Sequence, residues 1–231
     1  AWDQPYGLPH YRVAAYKAKL GLRLGSWRSV GASHNGFFTE SALDEIANAA
    51  SLDPLQMRLD LMTHEPSRKV LQAVAKLSNW SQPLPAGRAH GVAYVMAFGV
   101  PTAEVVEIVQ TERGIKVDKV FVATDVGVAL DPSIIEAQLI SGINFGLSAA
   151  ISGEITVADG KVEQTNFHQY NAIRMHQAPE IKVAILENGD RIKGIGEPGT
   201  PPVAPALANA IFALTGKRER HLPLNKYLRF V

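Results

Sequence analysis

The chain of 231 residues has no cysteine, and that absence removes several chemistries at once. Without a thiol there is no disulfide, no thiolate nucleophile, no iron–sulfur ligand and no cysteine-based zinc site. Any redox centre must be brought to the chain by another group. An excess of charge of one sign is also missing, because 23 basic side chains stand against 22 acidic ones for a net charge of +1. Nucleic acids and anionic membrane surfaces are recognised by basic patches or stripes, so neither is an expected partner. No run of about 18 apolar residues occurs, and Ala1-Trp2-Asp3-Gln4-Pro5-Tyr6-Gly7 lacks the basic-then-apolar order of a secretory leader. No membrane span is expected. The opening in turn-like sequence, with no methionine, reads as a piece of a longer polypeptide.

What is present is a hydrophobic content of 46%, enough to bury a sizeable core. Residues 1–80 read as a lead-in segment, a loop and a helical segment. Alternation from Tyr11 to Tyr16 suggests a strand, and the small polar residues Ser26 to Gly36 suggest a loop. Helices follow from Thr39 through Ala50, from Asp53-Pro54 to about Met62, and from about Ser67 to Leu77. Ser78 to Arg88 reads as a linker. Residues 81–231 read as a mixed sheet and helix segment carrying a glycine-rich loop. Val92 to Val100, Ala103 to Thr111 and Lys116 to Thr124 are rich in β-branched residues, with a hairpin turn at Glu112-Arg113-Gly114.

Asp131-Pro132 caps a long helix from Ser133 to about Ser148, with Ile134, Ile135, Gln138, Leu139, Gly142, Ile143 and Phe145 on its inner side. Gly142 and Gly146 on one face suggest close approach of another backbone. A hairpin is expected from Ile151 to Val157 and Val162 to Phe167, and a further strand from Glu180 to Leu186. A buried helix from Ala204 ends at Gly216. The fold class is α+β, a mixed β-sheet covered by helices.

The chemistry concentrates in Gly194-Ile195-Gly196-Glu197-Pro198-Gly199-Thr200-Pro201-Pro202, one carboxylate in a loop of glycines and prolines. Its glycines match a dinucleotide fingerprint literally, but no hydrophobic strand runs into Gly194 and two prolines displace the helix start. Two roles remain for Glu197: a general base fixed on a rigid loop, or a cap for the following helix. Arg28 either presents its guanidinium fork to an anion or oxygen ligand, or stacks on Trp27. Gln138, on an otherwise apolar helix face, is either paired to backbone or turned to a ligand. His34, His168 and His176 show no metal-ligand spacing, and Ser29, Ser33, Ser141 and Ser148 lack the context of a hydrolase nucleophile.

Trp27-Arg28-Ser29-Val30-Gly31-Ala32-Ser33-His34-Asn35-Gly36-Phe37, then Phe38-Thr39-Glu40-Ser41 and Asp44-Glu45, resembles the molybdenum-binding subunit of the xanthine oxidase family. So do Gln138 to Ala150 and the loop from Gly194 to Pro202 with Ala204 to Phe212 behind it. Together they are most similar to the C-terminal part of the β subunit in the isoquinoline 1-oxidoreductase branch, with nicotinate and aldehyde dehydrogenase relatives.

The resemblance implies a molybdenum-cofactor-binding domain of the xanthine oxidase type. Its cofactor is a molybdenum-pterin, in bacteria usually molybdopterin cytosine dinucleotide, and [2Fe-2S] clusters sit on a partner subunit. It further implies an oxidoreductase that hydroxylates an N-heteroaromatic or aldehyde carbon with water as oxygen source. Glu197 is then the base that takes the proton from the attacking oxygen, Trp27 and Arg28 lie on the substrate side, and Gln138, Gly194 and Gly196 bind the cofactor. No protein side chain is implied as a metal ligand. Purine-oxidising relatives carry an aromatic residue two places after the loop arginine, where this chain has Val30, which argues against a purine. The implied partners are the upstream half of the molybdenum subunit, which holds the remaining cofactor loops, and an iron–sulfur subunit. The fragment by itself is then expected to be inactive. The alternative is a non-catalytic assembly or scaffold module that kept the fold.

Overall fold

The computed structural model describes residues 4–19 and 21–231. The helices are α1 (Gly31–Ala49), α2 (Pro54–Leu61), α3 (Glu65–Leu77), α4 (Pro132–Ile151) and α5 (Val203–Thr215). The strands are β1 (Arg88–Ala97), β2 (Val100–Thr111), β3 (Gly114–Asp125), β4 (Val157–Ala158), β5 (Lys161–Val162) and β6 (Glu180–Leu186). The main sheet runs β1-β2-β3-β6, antiparallel through its first three strands and parallel between β3 and β6.

Side-chain alternation along these strands gives the sheet two apolar faces. Val92, Tyr94, Val105, Phe121 and Ala123 pack with α1, α2 and α3. Ala93, Val106, Val120 and Val122 point the other way and pack with α4 and α5. The fold is therefore a mixed sheet covered by helices, as the β-branched runs predict.

α5 lies directly on the backbone of β1. A Cβ built at Gly91 would sit 2.1 Å from Ala210 N and 2.2 Å from Ala206 O, so any side chain there would drive the helix off the sheet. Gly142 and Gly146 bring α4 close to another backbone, as their spacing predicts: an added Cβ would lie 3.2 Å from Gly199 C at the first and 2.9 Å from Thr200 O at the second. The aspartate caps form as read: Asp53 Oδ1 accepts from Leu55 N and Gln56 N, and Asp131 Oδ1 from Ser133 N and Ile134 N. Between α1, α2 and β1, Glu40 Oε2 accepts from Arg58 Nε at 2.7 Å and Tyr94 N at 2.9 Å, while Oε1 accepts from Tyr6 Oη at 2.9 Å. Arg58 and Glu40 are fully buried, which fixes the helix that follows the Trp27-Arg28 loop.

Four expectations are corrected. Tyr11 to Tyr16 forms no strand, for its side chains cover no sheet face. α1 begins at Gly31 inside the expected loop, because those small residues let the helix pass close to the sheet and the Pro201 turn; a Cβ at Gly36 would lie 2.9 Å from Val95 and 3.4 Å from Pro201 O. The hairpin after α4 shrinks to β4 and β5, since its residues are exposed and have no core to bury against, and Ile151 ends α4 instead. On α4, Ile134 and Phe145 lie outside, 57% and 40% exposed. With its 20 residues and a mean hydropathy of 1.4, α4 also has the length and composition of a membrane-crossing helix. Burial of Ile135, Leu139, Ile143 and Leu147 in the sheet core gives it the pattern of a core helix.

Candidate active site

The loop from Gly194 to Pro202 is braced from behind by α4. Thr200 N donates to Glu197 O at 3.0 Å to close a turn, and Thr200 Oγ1 donates to Gly142 O at 3.2 Å. A Cβ at Gly199 would lie 3.2 Å from Leu139 O. Pro198, Gly199 and Thr200 are buried, whereas Gly194 and Gly196 are exposed. β6 ends at Leu186 and α5 begins only after Pro201 and Pro202, so the strand–turn–helix of a dinucleotide site is not formed.

Glu197 is half-buried, and its Oε1 accepts from the backbone N–H of Ser29 at 2.8 Å. It does not cap α5, whose first turn has Pro202 in the capping position and no side-chain cap. Ser29 and Val30 have φ values of 67° and 47°. Left-handed backbone is rare for a β-branched residue and marks a strained turn. The turn is locked by Ser29 Oγ and Ser33 Oγ, which donate to Arg28 O at 2.5 and 3.1 Å.

Arg28 spans three elements. Nε donates to Gly196 O at 2.8 Å and Nη2 reaches the same carbonyl; Nη1 donates to Ser141 Oγ at 3.0 Å. Nη2 also approaches Gln138 O and Gln138 Oε1 at 3.4 and 3.5 Å. The guanidinium thus ties its own loop to α4 and to the residue before Glu197. Trp27 stacks not on Arg28 but on Phe145, with ring centroids 4.8 Å apart, and Arg28 lies 5.7 Å from the same ring.

Arg28, Gln138, Gly196 and Glu197 are therefore brought together. Gly194 stands apart at the open end, where an added Cβ would meet nothing within 4 Å. Sequence reading overlooked Ser29, Ser141 and Phe145 as partners. Adjacency to Arg28 was the one available signal for Ser29, and its contribution is a backbone donor that side-chain chemistry does not advertise.

Residues 16–179 match the family described as the molybdopterin cofactor-binding domain. The chain belongs to that family. Among curated relatives, the isoquinoline 1-oxidoreductase subunit beta of Brevundimonas diminuta is 33% identical over 96% of this chain and 29% of its own length. A membrane-bound aldehyde dehydrogenase (pyrroloquinoline-quinone) of Gluconacetobacter polyoxogenes is 30% identical over 96% of this chain and 32% of its own. The chain thus spans about a third of the length of these relatives or less. Quinoline 2-oxidoreductase from Pseudomonas putida 86 has the same fold at a TM-score of 0.74 and 12% identity, over 87% of this chain and 52% of that one.

The polar groups that this molybdopterin-binding domain presents are amides and backbone rather than metal ligands. Among the described residues no group of three or more His, Cys, Asp or Glu could hold a metal ion. What the chain offers instead is exposed glycine backbone at Gly196 beside the amide of Gln138, with Gly194 in open space two residues earlier. The Gln138 amide nitrogen makes no hydrogen bond to the described residues. These groups suit the heteroatoms of a pterin.

Proposed function

We propose that this chain forms one wall of the active site of a molybdenum hydroxylase, with Glu197 as general base. The reaction is hydroxylation of an N-heteroaromatic or aldehyde carbon with oxygen from water. The observation that carries this reading is the Ser29 N–H to Glu197 Oε1 hydrogen bond of 2.8 Å. It fixes the carboxylate and leaves Oε2 without a hydrogen bond to the described residues. A base must lie within hydrogen-bond reach of its proton, and pre-orientation removes the entropy of finding it.

Gln138, Gly194 and Gly196 hold the pterin end of the cofactor, taken as molybdopterin cytosine dinucleotide. When bound, the cofactor supplies a centre that accepts two electrons from the substrate and delivers an oxygen atom derived from water. Glu197 Oε2 would take the proton from the water-derived oxygen. Arg28 keeps the Glu197 loop in place through Gly196 O, and with Trp27 it borders the substrate side. Electrons leave through [2Fe-2S] clusters on a partner subunit, since no cysteine is available in this chain. The remaining cofactor contacts come from the upstream half of the molybdenum subunit, so the isolated chain does not turn over.

A second reading, a non-catalytic assembly module, draws support from the engagement of Arg28 by protein acceptors. The two separate in the full complex given isoquinoline in heavy-oxygen water. The hydroxylase reading expects stoichiometric molybdenum and one solvent oxygen in the product. A complex devoid of molybdenum and turnover favours the assembly module, and label arriving from dioxygen contradicts the chemistry.

A further inference from the structure

The β1–β2 hairpin closes next to this site in a conformation its residues do not favour. Ala97 pairs with Val100, leaving a two-residue turn of Phe98 and Gly99 with φ values of 54° and 75°. Two-residue hairpins take such left-handed turns because they match strand twist, but the first position normally holds Asn, Asp or Gly. A phenylalanine there is strained, and its side chain is 60% exposed, so packing within this chain does not account for it. The second strained turn, Ser29-Val30, borders the same cavity. That cavity has a volume of about 400 Å³ and is lined by Ser29, Val30, Met96, Phe98 and Gly99 together with the amide side chains of Gln4 and Asn35. Ser29 is the residue whose N–H holds Glu197. Glu197 is not in the cavity lining; Ser29 joins the two, in the wall by position and to the carboxylate by its N–H.

Resting on the hydroxylase reading above, we propose that Phe98 determines specificity by offering its ring to a flat, apolar N-heteroaromatic substrate lying between it, Val30 and Met96. Strain that packing does not repay is retained where it presents a group to a ligand. Stacking on an exposed aromatic face favours a bicyclic ring over a two-carbon aldehyde, which has no aromatic ring to match. Val30 provides no ring on the opposite loop, so the aromatic contact is single-sided.

The test uses the full oxidised complex and the substitution Phe98→Asn, which suits the left-handed turn and so preserves the hairpin. Isoquinoline is the binding probe in calorimetry, and isoquinoline and acetaldehyde are the two substrates in steady-state kinetics. The expected result is an isoquinoline Kd and KM raised about tenfold with kcat little changed, a figure consistent with the loss of one aromatic contact. The kcat/KM preference for isoquinoline over acetaldehyde falls by the same factor, and Phe98→Trp restores it. Unchanged isoquinoline binding, or equal losses for both substrates, overturns the proposal. If wild-type complex oxidises neither compound, the hydroxylase reading fails and this inference with it. If it oxidises both and Phe98→Asn behaves as wild type, this inference alone fails.

Discussion

The backbone N–H of Ser29 donates to Glu197 Oε1 across 2.8 Å of space and 168 residues of sequence. Two devices set this bond. The left-handed turn at Ser29 and Val30 aims the N–H, and Arg28, one residue earlier, holds the carbonyl of Gly196, one residue before the carboxylate. Aim and target are thus fixed by adjacent residues on both strands of the contact.

Arg28→Lys should expose how much that clamp matters. Lysine is a point charge and cannot reproduce the paired Nε and Nη2 contacts to Gly196 O. Turnover of the full complex is expected to fall about 100-fold with molybdenum content kept, the scale of a small misplacement of a catalytic group. Metal analysis beside kcat measurement checks this, and wild-type kcat in the variant refutes it.

Gly91→Ala should be among the most damaging small substitutions in the chain. A methyl group there would fall 2.1 Å from Ala210 N and 2.2 Å from Ala206 O, both helix backbone that cannot rotate away. A loss of at least about 3 kcal/mol is expected, the upper range for overpacking. Denaturant unfolding measures it.

The buried pair Arg58–Glu40 is predicted to be costly to break. Glu40→Ala leaves a fully buried guanidinium without its carboxylate and deprives Tyr6 Oη and Tyr94 N of their acceptor. Removing one partner of such a pair costs about 3–5 kcal/mol. A loss under about 1 kcal/mol in denaturant unfolding would contradict this account of the pair.

Glu104, on β2, supplies a pH signature. Its side chain is buried with neither oxygen hydrogen-bonded, and burial pushes its carboxyl well above the ordinary value of 4.5. The folded protein therefore holds this proton more tightly than the unfolded chain does. Its contribution is fully present below about pH 4.5 and is lost as pH rises through the folded value. Glu104→Gln keeps the shape without the ionisation, so it should be more stable than wild type at about pH 8 and lose that advantage near pH 4. Melting curves at both pH values decide the matter, and a difference independent of pH contradicts it.

Where the fold was legible in sequence, a local rule and the tertiary structure asked for the same thing. β-branched runs became β1 to β3, Asp-Pro pairs started α2 and α4, and Gly216 ended α5 with a φ of 70°. Close approach of a backbone to Gly142 and Gly146 was readable because only such approach needs glycine on that face, but its identity as the Glu197 loop was not. The start of α1 was not readable. Gly31 to Gly36 is poor helix sequence, and tertiary packing rather than propensity makes it helical. Phe98 and Gly99 were hidden inside an apolar run read as one strand through Val100, whereas β1 ends at Ala97. The site divides the same way: side chains such as Arg28, Gln138 and Glu197 could be singled out by type, but a backbone donor on a strained turn could not.

The central claim is that Glu197 is the base, and Glu197→Gln in the full complex tests it most directly. The amide can still accept from Ser29 N–H but cannot take a proton at neutral pH. Molybdenum and cofactor content should match wild type while kcat falls by about 10²–10⁴, the usual contribution of a positioned base. Wild-type turnover in a fully loaded Glu197→Gln complex would contradict the account.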